Sequence, residues 1–180
     1  GGKIVYAGGD DLLAFVPGES ALEAAKEIYL KFRREMAGKC TMSAGIAIFH
    51  YKLPVYVGVE AANFLLSEVK KREKGKIAFI IIKSTGLTES ELKNNMKLYT
   101  AEQVNAILRI IKFLRKCEIS SSQLWRIAPI ASSDQLKAEG LIRNLMGKFK
   151  IGLISGKTFL QYVRSQLFRD AFFLYNLFKG

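Results

Sequence analysis

The chain has 180 residues, 49% of them hydrophobic and 24% charged, which suits one substantial core or two small ones and excludes disorder over most of its length. Its longest charge-free stretches, such as Cys40 to Tyr51, fall short of the about 18 apolar residues that a membrane span needs, and no basic, apolar and small-residue leader pattern opens it. The net charge of +12 is split as +4 over residues 1 to 86 and +8 over residues 87 to 180. A basic field of this size draws phosphate backbones, so nucleic acid, or an assembly built around it, is the expected partner. A membrane surface is not expected, because the basic residues are interspersed with acids.

In chain order, the first predicted feature is a β-hairpin. Two short apolar runs, Ile4 to Ala7 and Leu12 to Val16, flank the tetrad Gly8-Gly9-Asp10-Asp11. The glycines permit a tight reversal, and two carboxylates stand at its exit. Adjacent ionised carboxylates repel, so the tetrad reads either as a solvated turn or as a site whose acids are neutralised by a divalent cation such as magnesium. Ser20 and Glu23 form a capping-box pair opening a helix whose expected inward face is Leu22, Ala25, Ile28, Phe32 and Met36, with Gly38 stopping it. Residues 41 to 49 predict a strand, a helix follows Pro54 with Ala61, Ala62, Leu65 and Val69 inward, and Ile77 to Ile82 predict a further strand.

The second region begins near Leu87 and reads as all helical. Thr100 and Gln103 make another capping box ahead of the stripe Val104, Ile107, Leu108, Ile111 and Leu114. After Ser120 to Ser122, a short helix carrying Leu124 and Trp125 ends at Pro129, and further helices are expected from about Ser133 to Phe149 and from Lys157 to Phe178. The aromatics of the last one, among them Phe159, Tyr162, Phe168, Phe172 and Phe173, suit a core helix; a partner-binding groove is the alternative. Cys40 and Cys117 lack metal-ligand spacing and read as buried small apolar residues in a reducing cytoplasm.

Several of these segments together resemble a known family. Val5 to Phe15 around the tetrad, Ser43 to Ile48, His50-Tyr51-Lys52 with Pro54, and Lys76 to Ile80 running into Ser84-Thr85-Gly86 stand in the order found in the second palm domain of the Cas-ten large subunit of type III CRISPR RNA-guided complexes. The His-Tyr-Lys-x-Pro block resembles the Cmr branch rather than the Csm branch. The fold class implied is α+β: a partial ferredoxin-like, nucleotide-cyclase palm over residues 1 to 86, followed by a small all-α helical bundle over residues 87 to 180. Strand, strand, helix, strand, helix, strand is the ferredoxin-like order without its first strand and helix. Since that strand would lie centrally, the hairpin and the strand at 41 to 49 are expected to lack a common neighbour, as in one section of a longer protein.

The resemblance implies nucleotidyl transfer on ATP, giving cyclic oligoadenylate second messengers once target RNA is bound. It assigns magnesium or manganese to Asp10 and Asp11, close approach of the nucleotide to Gly8 and Gly9, and a triphosphate contact to Lys70, although Val69-Lys70 followed by Lys71 and Arg72 departs from the family's usual Ala-Lys. His50, Tyr51 and Lys52 are expected beside the same nucleotide site, at a strand end. Implied partners are the other subunits of the effector complex, a small helical subunit among them, together with guide RNA and target RNA; the implied location is the cytoplasm. The tetrad is also similar to that of GGDEF cyclic-dinucleotide synthases, but Asp11-Leu12 stands where that family has an acid followed by Phe. A catalytically silent scaffold is the remaining alternative. The single histidine, His50, excludes a nuclease centre of paired histidines in these residues, and Gly156-Lys157-Thr158 is no phosphate-binding loop because Ile151 replaces the required Gly.

Overall fold

In the computed structural model, residues 2–84, 88–116, 121–130, 133–149 and 153–178 are described. They form two compact units, Gly1–Asn105 and Ala106–Gly180.

The first unit opens with β1 (Lys3–Gly8) and β2 (Asp11–Phe15), an antiparallel hairpin with a register shift between Ile4 and Tyr6. A single 3-10 turn, Gly18–Ser20, leads into α1 (Ala21–Glu35). Then come β3 (Ala44–Phe49), α2 (Val55–Arg72), β4 (Ile77–Ile82), α3 (Glu89–Asn95) and β5 (Lys97–Tyr99). Strand β4 is central in a three-stranded sheet, parallel to β3 and antiparallel to β5. The hairpin keeps its own two-stranded ladder, in line with the expectation that it and β3 share no neighbour.

The core lies between this sheet and α2. Ala61, Leu65 and Val69, at helical spacing, meet Ala78, Ile80 and Ile82, which period two places on one face of β4, and Leu92 and Met96 close the end. Two glycines allow the close approach. A Cβ on Gly45 would stand 2.2 Å from the Ala62 carbonyl oxygen, and one on Gly58 would enter the Phe49 ring. Thr88 caps α3 through a reciprocal box with Glu91, whose carboxyl is held below its ordinary range by the Thr88 N–H. This box escaped the sequence reading, and so did β5, which lies in a region expected to be wholly helical. Its pairing with β4, and the stacking of Tyr99 on Phe79, carry the first unit past the expected boundary at residue 86.

Helix α1 departs from expectation in two ways. Ser20 makes no side-chain capping bond: its backbone is helical, φ −99° and ψ −6°, and not extended as at a capping Ser, while its N–H closes the preceding turn on the Pro17 carbonyl. Of the expected inward face only Leu22 is buried, while Ile28 and Met36 are 38% and 43% exposed. Ala25 and Phe32 are half-buried, so the stripe is covered at its start and in part, and left open at Ile28 and Met36. Cys40 is likewise exposed, not buried; Cys117 lies outside the described residues.

Helix α4 (Ala101–Lys116) begins at the expected box, where the Thr100 N–H donates to Gln103 Oε1 at 2.8 Å and the Gln103 N–H to Thr100 Oγ1 at 3.1 Å. It runs into the second unit, which continues with α5 (Ser121–Ile127), α6 (Gln135–Phe149), α7 (Leu153–Val163) and α8 (Phe168–Leu177). The last two replace the single expected helix. Between them Ser165 Oγ accepts the Leu167 N–H at 3.2 Å, a local bond that competes with the helical ladder. The aromatics form the core of this unit: Phe159, Phe168 and Phe172 are fully buried, and Phe172 meets Trp125 edge to face at 5.1 Å. Among the described residues no helix is long and apolar enough to cross a membrane.

Candidate functional site

Gly8 pairs across the ladder with Asp11, so Gly9 and Asp10 make a two-residue loop. Gly9 has φ +61°, whereas Asp10 is not in the left-handed region; this is the φ pattern of a type II′ turn, which suits the twist of a hairpin. No atom lies within 4 Å of a Cβ built on Gly9. The glycine is therefore required by conformation, and the space around the tip is open. Asp11 opens β2 on one side of that tip, with Asp10 beside it in the loop.

The tip lies near the C-terminal turn of α2. Lys70 Nζ stands 4.0 Å from Asp11 Oδ1, and both side chains are more than half exposed. The run Lys70-Lys71-Arg72 is divided by its surroundings. Lys71 and Arg72 reach back to Glu68, at 3.1 and 3.5 Å, and Lys93 on α3 approaches the same carboxylate at 4.0 Å. Of the three consecutive cations, Lys70 is the one paired with the hairpin. Among the described residues Glu68 is the charged one that is buried, and its hydrogen bond from Lys71 holds its carboxyl below the ordinary carboxylate range, with the charges of Lys71, Lys93 and Arg72 adding to the effect. The sequence reading passed over it. The signal was an acid three and four residues ahead of two bases on a helix, at an inward position next to Val69.

Among the described residues no group of three or more His, Cys, Asp or Glu side chains is placed to hold a metal ion. Two exposed carboxylates at a hairpin tip nonetheless fit a magnesium-type ion, which is commonly held by one or two carboxylates plus water and substrate phosphates. Lys70 puts an ammonium within 4.0 Å of the Asp11 carboxylate at this end of the hairpin.

His50, Tyr51 and Lys52 lie elsewhere. They form the turn after β3, immediately before α2, and from Val55 to Lys70 that helix rises about 22 Å. The fold thus brings Asp11 and Lys70 together and sets His50, Tyr51 and Lys52 at the far end of α2. Parallel β3 must be followed by a helix that returns along it, so the strand end and the helix end cannot coincide. Of the segment Ser84-Thr85-Gly86, Thr85 and Gly86 lie outside the described residues. Gly156-Lys157-Thr158 falls inside α7 and not at the loop-to-helix junction that a phosphate-binding loop needs.

Residues 1–80 match the family model described as Cas10/Cmr2, second palm domain. The chain is 39% identical over 92 residues to the CRISPR system Cmr subunit Cmr2 of Pyrococcus furiosus, an overlap of 47% of this chain and 11% of that protein. It is 32% identical over 76 residues to the single-strand-specific deoxyribonuclease Cas10/Csm1 (subtype III-A) of Enterococcus italicus, and 33% identical over 76 residues to its namesake from Streptococcus thermophilus; each overlap is 42% of this chain and 10% of the relative. The chain therefore spans about a tenth of the length of the curated relatives it matches.

Proposed function

Because residues 1–80 belong to the Cas10/Cmr2 second palm domain family, we propose that this chain is part of the large subunit of a type III CRISPR effector complex and that its hairpin tip serves nucleotidyl transfer on ATP, yielding cyclic oligoadenylates when target RNA is bound. The observation that carries this reading is the meeting of Asp11 with Lys70 at an open, glycine-shaped turn that also holds Asp10. Carboxylates for a divalent cation and an ammonium for a triphosphate stand within one contact of each other.

In this reading Asp10 and Asp11 hold magnesium or manganese, which when bound neutralises the phosphates and makes the attacking hydroxyl more acidic. Lys70 leaves Asp11 to donate to the triphosphate. Gly9 keeps the tip free of a side chain where the nucleotide approaches. The 3′-oxygen of one ATP bonds to the α-phosphorus of the next, the bond to pyrophosphate breaks, and the hydroxyl proton passes to solvent. The cation, when bound, and Lys70 would both oppose the growing negative charge on the leaving group. The other subunits, a small helical one included, and the guide and target RNAs are the partners this reading assigns.

The test is turnover of labelled ATP by the full-length protein assembled with guide RNA, with and without matching target RNA, in magnesium or manganese. Cyclic adenylates that form only with target and vanish in the Asp10→Ala, Asp11→Ala variant support the proposal. A correctly assembled, RNA-binding complex that makes no product leaves the silent scaffold, and dinucleotides made from GTP would point to the other cyclase class.

A further inference from the structure

The turn at the opposite end of α2 has features that the nucleotidyl-transfer site does not use. Tyr51 is 82% exposed, and Tyr56, in the first turn of the helix, is 62% exposed. The turn that presents Tyr51 is hydrogen-bonded: the Leu53 N–H donates to the His50 carbonyl at 2.9 Å, and the Lys52 N–H donates to His50 Nδ1 at 3.2 Å. The second bond makes Nδ1 an acceptor, so the neutral ring carries its proton on Nε2 as a donor. The His50 ring lies 4.4 Å from that of Tyr51, and Lys52 Nζ stands 5.9 Å from the Tyr51 ring centroid. Beneath the turn, the tight seat of Gly58 against Phe49 anchors the start of α2 to the end of β3.

The turn itself carries only positive charge, and the exposed carboxylate next along the chain is Glu60, one helical turn beyond Tyr56 in α2. No carboxylate occurs between Glu35 and Glu60. Phe49 pairs with Ile82 in the parallel ladder, so Lys83, which follows Ile82, comes alongside His50 at the same end of the sheet. Among the described residues neither Lys52 nor Lys83 forms an ion pair, and both are exposed. Aromatic rings held in water on an ordered turn, bordered by cations and a ring N–H donor, match the chemistry of an unpaired base with its phosphate: a flat π face to stack on the ring and an anion for the lysines.

We infer that the His50-Tyr51-Lys52 turn, with Lys83 beside it, is a contact for single-stranded nucleic acid, separate from the Asp10–Asp11–Lys70 site. Tyr51 is the stacking platform, and Lys52 and Lys83 take the phosphates. This inference stands whether or not the hairpin tip transfers nucleotides. A protein-docking patch built on Tyr51 and Tyr56 is the competing occupant, and the exposed Lys52 and Lys83 together with the net charge of +12 favour the polyanion.

The test is equilibrium binding of the full chain to fluorescently labelled uridine and deoxyuridine oligonucleotides, measured over a range of salt concentrations. Tyr51→Ala is expected to weaken binding about tenfold, the scale of one lost base stack, while Tyr51→Trp keeps the affinity. Lys52→Ala is expected to flatten the slope of log affinity against log salt by about 0.7, the loss of one single-strand phosphate contact. Tighter binding of one oligonucleotide identifies RNA or DNA as the strand. Wild-type affinity and slope in both alanine variants would overturn the inference and leave the protein-docking patch, and a Tyr51→Trp chain as weak as Tyr51→Ala would overturn the stacking role. The Asp10→Ala, Asp11→Ala variant, which tests the other site, is expected not to weaken oligonucleotide binding, so the two readings fail separately.

Discussion

Lys70 on the last turn of α2 and Asp11 at the start of β2 stand 4.0 Å apart, an ion pair between the helix and a hairpin whose backbone ladder is separate from the main sheet. Both groups are more than half exposed, so the pair is screened by water and contributes at most about 1 kcal/mol to stability. An interaction that weak is cheap to exchange for a phosphate.

Lys70→Ala should therefore separate stability from activity. We expect a denaturation midpoint close to wild type and a loss of labelled ATP turnover in the assembled complex of at least tenfold. Lys71→Ala, which removes a partner of Glu68 and not of Asp11, is expected to spare turnover more than Lys70→Ala does. Equal losses in the two would refute a specific role for Lys70.

Gly9 and Gly45 should respond differently to alanine. Gly9 has open space around it but a φ of +61°, so the cost is conformational, about 1 kcal/mol. At Gly45 the new Cβ would meet backbone atoms of α2, the Ala62 carbonyl oxygen at 2.2 Å and the Leu66 nitrogen at 2.7 Å. Those atoms cannot rotate away. Gly45→Ala is expected to cost about 3 kcal/mol or more, read as a clear drop in the urea midpoint.

Glu68 predicts an acid-sensitive step. Its folded-state pKa is lowered from the ordinary 4.5 by the Lys71 hydrogen bond first, then by the charges of Lys71, Lys93 and Arg72. A lowered folded pKa binds fewer protons than the unfolded chain, so its stabilisation is present above the unfolded value and is lost as pH falls through the folded one. Stability measured against pH should therefore fall more steeply below about pH 4.5 in the wild type than in Glu68→Gln. Parallel acid limbs would show that the carboxylate adds nothing.

In the helical unit, Phe172→Ala removes a fully buried ring that meets Trp125 edge to face. A loss of about 3 to 5 kcal/mol is expected, measured by thermal or chemical unfolding. Trp125→Ala, at a half-exposed position, should cost less. The reverse order would mean that Trp125 holds this core together.

What the sequence by itself determined was local. Ile77 to Ile82 read as a strand because a run of six residues, apolar throughout and mostly β-branched, suits a short buried strand, and β4 is one, with Ala78, Ile80 and Ile82 buried and Phe79 and Ile81 half-buried. Pro54 opened α2, the Thr100–Gln103 box opened α4, and Gly8 to Asp11 declared a tight turn, each through chemistry confined to a few neighbours. The three residues of β5 carry no such signal; they become a strand only because β4 offers them a free edge. The Ser20 box failed because Ser20 takes a helical backbone conformation, and the stripe of α1 is covered only in part, with Ile28 and Met36 left exposed. Along the chain, His50-Tyr51-Lys52 and Lys70 look equally close to the acids. The tertiary structure decided between them, because a helix of 18 residues runs back along β3, bringing Lys70 to Asp11 and leaving Tyr51 at its other end.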